Sequence, residues 1–259
     1  MKFAYVGIDL YSSALEALLS QKQEILKVFT CETDNITEFN QHVIQLARMN
    51  NIPYTLKRIS KQDILNLIEE GCECLICAGY YYRLPIAEDF LMLNIHPSLL
   101  PIGKGAWPMQ WTILKGLSSS GVTIHKMVDS FDDGEIVLQQ EIPLSENEDL
   151  QSLMKKQNEL IPQLIYSLLK NFDFLIEHAK PQEEGEYWRK IEESDFPITA
   201  DMPIKEADLI LRAFYGYECI YIKNQEQYAV YKGFVGKEKT SDGLPLLDGE
   251  IQAKRIRKL

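Results

Sequence analysis

Asn94 and His96 stand two residues apart at the end of an apolar run, inside the stretch LNIHPSLLPIGKGAWPMQW that spans residues 93–111. On a strand, residues i and i+2 share a face, so the amide and the imidazole point the same way. Further along, the tight FDDG segment carries two aspartates, Asp132 and Asp133, and one of them can reach the same edge. An amide donor, an imidazole and a carboxylate together can stabilise an oxyanion and handle a proton, which suits acyl transfer. No Ser or Cys stands in a recognisable nucleophile elbow, so an acyl acceptor would attack directly. Residue types alone leave the structural reading of a lone histidine open beside the catalytic one.

These side chains need a scaffold, and the first half of the chain supplies an alternating one. KFAYVGI, EILKVFTC, IPYTLKRI and CECLICAGY read as four strands. Between them, SSALEALLSQ has helical spacing at Leu15, Leu18 and Leu19, and ITEFNQHVIQLARMNN has it at Phe39, Val43, Ile44 and Leu46. SKQDILNLIEEG reads as a helix with Ser60 as N-cap, apolar Ile64, Leu65 and Ile68, and Gly71 as its stop. The alternation predicts an α/β fold: a Rossmann-like, mostly parallel sheet with helices on both faces. Ligands bind such sheets outside the carboxyl ends of the strands, which puts the loops after Ile8, Gly79 and His96 on one edge. GVTIHKMVDS and GEIVLQQEIPL then read as two strands around FDDG, followed by one long helix over residues 149–177. A short helix at IKEADLILRAF and strands at ECIYIKN, YAVYKGF and GEIQAKRI predict a small β-rich C-terminal subdomain. The expected division is a catalytic domain over residues 1–185 and the subdomain over 196–259.

Composition narrows the function. A net charge of −11 over 259 residues argues against a nucleic-acid partner, since the basic residues cluster only in the final KRIRKL. A small anionic ligand remains compatible, because a local site can be positive on an acidic protein. No apolar run approaches the roughly 20 residues that cross a bilayer, and the start reads as a first strand rather than a signal peptide, so a cytoplasmic protein without membrane contact is expected. Cys72, Cys74 and Cys77 lie in an apolar strand and Cys31 and Cys219 stand alone, so no metal site is expected. GIDLYSS lacks the dinucleotide fingerprint and the Walker lysine. Ser12 and Ser13 fall at a helix start, where backbone N–H groups can meet an anion or one hydroxyl can simply cap.

Taken together, LNIHPSLLPIGKGAWP and GVTIHKMVDSFDDGEIVLQQ resemble the two signature segments of the folate-dependent formyltransferases. The resemblance extends through VFTCETDN, GYYYRLP and YWRKIEESDFPITADMPIKEADLILRAF, nearly the whole chain. It implies a formyl donor, 10-formyltetrahydrofolate, and a catalytic trio of Asn94, His96 and Asp132, the aspartate two residues before Gly134. In that trio Asn94 donates to the formyl oxygen, His96 stabilises developing charge, and Asp132 orients His96 and helps remove the amine proton. It also implies folate contacts from Arg83 and Leu84 on one wall and Asp129 on the other. Tyr80 to Tyr82 fit core packing equally well, and His125 reads as a supporting residue.

The acceptor chosen from sequence is a nucleotide-linked amino sugar, dTDP- or UDP-linked, as in O-antigen or surface polysaccharide synthesis. The reasons are the acidic composition and a C-terminal unit smaller than that of the tRNA enzymes. Ser12, Ser13, Lys104, Trp107 and Trp188 are its candidate contacts, with Trp111 and Arg189 nearby in sequence. The alternatives are a methionyl-tRNA formyltransferase and a catalytically silent folate or nucleotide-sugar binding protein. A homodimer is expected from the resemblance.

Overall fold

The computed structural model describes every residue of the chain except Thr37 and Lys239. Seven strands form the main sheet: β1 (Lys2–Gly7), β2 (Glu24–Phe29), β3 (Tyr54–Thr55), β4 (Cys74–Ala78), β5 (Met92–His96), and, after the short β6 (Ile102–Lys104), β7 (Ser119–Lys126) and β8 (Ile136–Pro143). Their order is β3-β2-β1-β4-β5-β7-β8. The pairs from β3 through β5 are parallel, and β7 runs antiparallel to β5. The expected mostly parallel sheet is therefore present. The α-helices among the described residues are α1 (Ser12–Ser20), α2 (Gln41–Met49), α3 (Lys61–Glu69), α4 (Pro108–Leu114), α5 (Leu150–Lys170), α6 (Phe172–Glu177) and α7 (Ile204–Ala213).

The strands at the centre of the sheet are buried on both faces, so alternate residues feed two apolar layers. Ala4, Val6, Leu75, Cys77 and Met92 share one layer with Ile64 and Leu67 of α3 and with Leu84 and Phe90. Asn94 follows Met92 by two and lies opposite Cys77, so it continues this same face. The candidate polar residues therefore sit at the end of an apolar layer.

Chain contacts divide the molecule into two compact units, Met1–Lys104 with Gly121–Ile142 and Lys156–Tyr187, and Gly105–Ser120 with Pro143–Lys155 and Trp188–Leu259. The second unit contains a five-stranded sheet in the order β10-β11-β12-β14-β13, from Ile198–Thr199, Glu218–Lys223, Glu226–Gly236, Glu250–Lys258 and Leu244–Pro245. A further two-residue strand, β9 (Glu186–Tyr187), pairs with β6 in the first unit.

Several element boundaries differ from the sequence reading. The third strand shrinks to two residues. Helix α2 starts at Gln41 and leaves Phe39 exposed. In α3 the buried positions are Ile64 and Leu67, whereas Leu65 and Ile68 face solvent. Its Ser60 cap holds in full, with Ser60 accepting from the Asp63 N–H and Asp63 accepting from the Ser60 N–H. The long helix breaks at Asn171, whose side-chain amide donates back to the Ser167 carbonyl and competes with the helical ladder.

Between β7 and β8 the backbone passes close to itself at Gly134. A Cβ on Gly134 would lie 1.9 Å from the Lys126 carbonyl oxygen, so only glycine fits without moving backbone. Gly134→Ala should destabilise by at least the roughly 1–3 kcal/mol typical of overpacking. Thermal unfolding checks this, with a fall of several degrees expected and an unchanged melting temperature contradicting the close approach.

Candidate functional site

Register builds the centre of the site. In the antiparallel pairing of β5 with β7, Asn94 lies opposite His125 and His96 opposite Thr123. Directly opposed residues share a face at about 5 Å between Cβ atoms, so all four side chains converge. β7 leaves the pairing beside Leu93, at the start of β5, and the following loop returns along that face. It delivers Asp132, which adopts the left-handed region at φ 53°, a conformation that Asp tolerates better than most residues.

Asp132 is the hub. Its Oδ1 accepts from Asn94 Nδ2 at 3.2 Å and lies 3.5 Å from His96 Nδ1 and 3.4 Å from His125 Nε2. Asn94 Nδ2 also lies 3.1 Å from His125 Nε2. The three residues of the sequence-derived trio are thus brought together, with His125 as a fourth member. The signal that points to His125 is Thr123 and His125 two apart on β7, mirroring Asn94 and His96 on β5.

Carbonyl oxygens assign the imidazole protons, because a carbonyl can only accept. His96 Nε2 is 2.7 Å from the Gly103 carbonyl and therefore donates to it, which turns Nδ1 toward Asp132. Burial pushes the His96 imidazole below its ordinary value, against the opposing pull of the Asp132 carboxylate. The neutral ring is favoured, with its Nδ1 lone pair beside the carboxylate. Burial, reinforced by the Asp132 charge, likewise pushes the Cys77 thiol up to about 12, so Cys77 is an inert neighbour. All five cysteines are buried and free. Among the described residues no cluster of three or more His, Cys, Asp or Glu is arranged to hold a metal ion, and no helix is long and apolar enough to cross a membrane.

Other contacts pin the loops. Gln182 Nε2 donates to the carbonyls of Asp132 and Gly134 at 2.8 and 2.7 Å. Lys104 Nζ meets Asp133 at 2.5 Å, so the lysine read from sequence as a substrate contact is paired within the fold. Arg83 donates to the Asp129 carbonyl at 2.5 Å and lies over the Phe131 ring, joining the loop after β4 to the loop after β7. The Leu84 side chain is in the apolar layer, which leaves only its backbone to face a ligand. Tyr81 and Tyr82 are exposed, and Tyr82 packs edge-on against Tyr80.

The remaining sequence candidates have other settings. Ser12 is buried at the first position of α1, and Ser13 Oγ donates to Asn158 Oδ1. Both tryptophan candidates belong to the second unit. Trp107 packs against Tyr217 with Lys190 over its ring. Trp188 is buried with Lys115 over its ring, and Trp111 donates to the Arg189 carbonyl.

The Formyl transferase family matches residues 9–169. The methionyl-tRNA formyltransferase of Ehrlichia ruminantium (strain Gardel) is 33% identical over 165 residues, 63% of this chain and 54% of that protein. The chain thus spans about half the length of that relative. The methionyl-tRNA formyltransferase of Ehrlichia chaffeensis is 31% identical over 229 residues, 82% of this chain and 73% of the relative. Among solved structures, HypX from Aquifex aeolicus in complex with tetrahydrofolic acid has a TM-score of 0.73 at 15% identity, covering 100% of this chain and 44% of that one. The methionyl-tRNA formyltransferase from Clostridium thermocellum gives 0.70 at 13%, covering 100% and 99%. A sugar 3N-formyl transferase, WlaRD, gives 0.71 at 19%, covering 100% and 98%. At these identities the structures show a shared fold and no more.

The nucleotide-sugar acceptor chosen from sequence is overturned. Curated relatives at 27–33% identity are named methionyl-tRNA formyltransferase, whereas sugar formyltransferases enter as structural neighbours at 19–20%. The acidity that favoured a sugar describes the whole surface, and recognition depends on a local face.

Gln182 had no signal in the sequence, since it lies 50 residues from Asp132. Gln182→Glu would set a carboxylate against two carbonyl oxygens and release the loop. A lowered rate of the reaction the site performs, with Gln182→Ala less affected, is the expected outcome. Equal rates for wild type and Gln182→Glu would contradict this role.

Proposed function

For a chain that belongs to the formyl transferase family, we propose transfer of a formyl group from 10-formyltetrahydrofolate to the free α-amine of methionyl-tRNA. The observation that carries the chemistry is the convergence of Asn94, His96 and Asp132 around one carboxylate oxygen. The relatives' names support the acceptor.

The residues around the loops suit a folate. Segment 80–88 carries neither helix nor strand, so its backbone donors and acceptors are not committed to a sheet ladder. Leu84, Phe90 and Met92 form an apolar floor beneath it. Asp129, tied to Arg83, stands across from it. A flat heterocycle with polar edges needs this combination of apolar walls and a few placed polar groups. When bound, the folate supplies the formyl group.

Asn94 directs both amide N–H groups into the site, one to His125 and one to Asp132. Exchanging Asp132 for the formyl oxygen lets Asn94 donate where negative charge develops. His96 and Asp132 act as a proton pair. The neutral Nδ1 takes up the proton lost by the attacking amine, and the imidazolium then lies 3.5 Å from the carboxylate. In this reading His96 takes up the proton with Asp132 as its counter-charge, where the resemblance gave proton removal to Asp132 and charge stabilisation to His96. The pair returns the proton to the departing nitrogen. The amine nitrogen forms a bond to the formyl carbon as the donor's carbon–nitrogen bond breaks, so no enzyme nucleophile is required.

The test is transfer of labelled formyl to charged methionyl-tRNA, with uncharged tRNA and free methionine as controls. Label should appear on charged tRNA alone. Asn94→Ala should slow a single turnover by about 100-fold, the loss expected for one preorganised oxyanion donor. Absence of label on methionyl-tRNA would overturn the acceptor, and a wild-type rate in Asn94→Ala would overturn the site.

A further inference from the structure

We propose that His125 is a positioning residue that fixes which end of the Asn94 amide faces the reacting group, and that it does so only while neutral. His125 is 2% exposed and lies directly across the strand pair from Asn94. Its Nδ1 is 2.8 Å from the Lys126 carbonyl and must donate to it. A neutral imidazole carries a single N–H, so Nε2 is a bare lone pair. The only favourable partner for that lone pair at 3.1 Å is the nitrogen end of the Asn94 amide. Turned the other way, Asn94 would set its carbonyl oxygen against this lone pair and against Asp132.

The Lys126 carbonyl therefore determines the tautomer of His125, and His125 determines the polarity of Asn94. Gly134 takes part, because a side chain there would collide with that same carbonyl. Asp132 also accepts from Asn94, but in the reaction that bond is the one exchanged for the formyl oxygen. His125 remains the fixed acceptor throughout the exchange.

Protonating His125 reverses the arrangement. An Nε2–H would repel the Asn94 N–H and turn to Asp132, 3.4 Å away. The titratable groups around the ring are Asp132 from the returning loop, His96 on β5 with ring centroids 6.2 Å apart, and Cys77 on β4 beside Asn94. The neighbouring Lys126 ammonium is engaged by Glu135 at 2.7 Å.

The kinetic arm of the test rests on the formyl-transfer reading, and the spectroscopic arm does not. His125→Gln can place an oxygen acceptor near the Nε2 position without titrating, whereas His125→Met fills similar space and accepts no such bond. The Met variant should lower kcat about tenfold, the equivalent of one neutral hydrogen bond, with KM for the folate essentially unchanged. The Gln variant should recover most of the rate. By nitrogen NMR, wild-type His125 should show a protonated Nδ1 and a bare Nε2. Solvent exchange of the Asn94 side-chain amide should speed up in the Met variant and return toward wild type in the Gln variant. Melting temperatures confirm that each variant is folded. A protonated Nε2, or Asn94 exchange indifferent to both substitutions, would overturn the proposal even if the wild-type protein transferred no formyl group. Wild-type kcat in the Met variant would overturn it on the kinetic side.

Discussion

The antiparallel register between β5 and β7 is the constraint on which the site depends. It sets Asn94 against His125 and His96 against Thr123 on one face of the sheet. A slip of one residue would turn one strand's pair toward the opposite layer, because side chains alternate with period two. The register is reinforced beyond its ladder. Thr123 Oγ1 donates to the Ser98 carbonyl and accepts from the Leu100 N–H, and Gln139 donates to both Thr123 and the Leu100 carbonyl. The Pro- and Gly-rich turn after His96 is thus sewn to β7 and β8 by side chains. Ser98 ties the same turn to the Ile102 carbonyl.

A polar cluster in this position is costly unless its donors and acceptors match, since unpaired polar groups at the end of an apolar layer lose their water. Matching here follows from a chain of assignments. The Lys126 carbonyl fixes the His125 proton, the bare Nε2 calls for the Asn94 nitrogen, and Gly103 fixes the His96 proton. Asp132 closes the set by accepting from Asn94, with the bare ring nitrogens of His96 and His125 3.5 and 3.4 Å from the same oxygen. The returning loop is then fastened along its length, by Arg83 at Asp129, Gln182 at Asp132 and Gly134, and Lys104 at Asp133. These contacts hold Asp132 in its left-handed conformation without help from regular structure.

What the sequence makes legible follows from the range of each signal. Continuous apolar runs such as CLICA and the Ser60–Asp63 cap are local patterns, and both are present in the fold. Asn94 and His96 are also local, two residues apart on one strand. The phase of α3 is less secure, because four apolar candidates within five positions, Ile64 to Ile68, allow more than one buried stripe, and the fold buries Ile64 and Leu67. His125 is legible only as a supporting residue two positions from Thr123, because its place opposite Asn94 depends on register, and Gln182 depends on a loop closed over dozens of residues, which no local pattern encodes. The acceptor is the hardest to read. Net charge and the size of the second unit are averages, and they favoured a sugar where the relatives are named for methionyl-tRNA.

The shared carboxylate is the point at which geometry and chemistry meet. The most direct measurement is a single-turnover rate of formyl transfer for Asp132→Asn, with folate binding measured on the same protein. The substitution keeps the shape of the side chain and removes the charge that balances a protonated His96. A fall of about 100-fold or more in the transfer rate, with folate affinity preserved, is the predicted result. A wild-type rate would mean that Asp132 does not serve the proton pair.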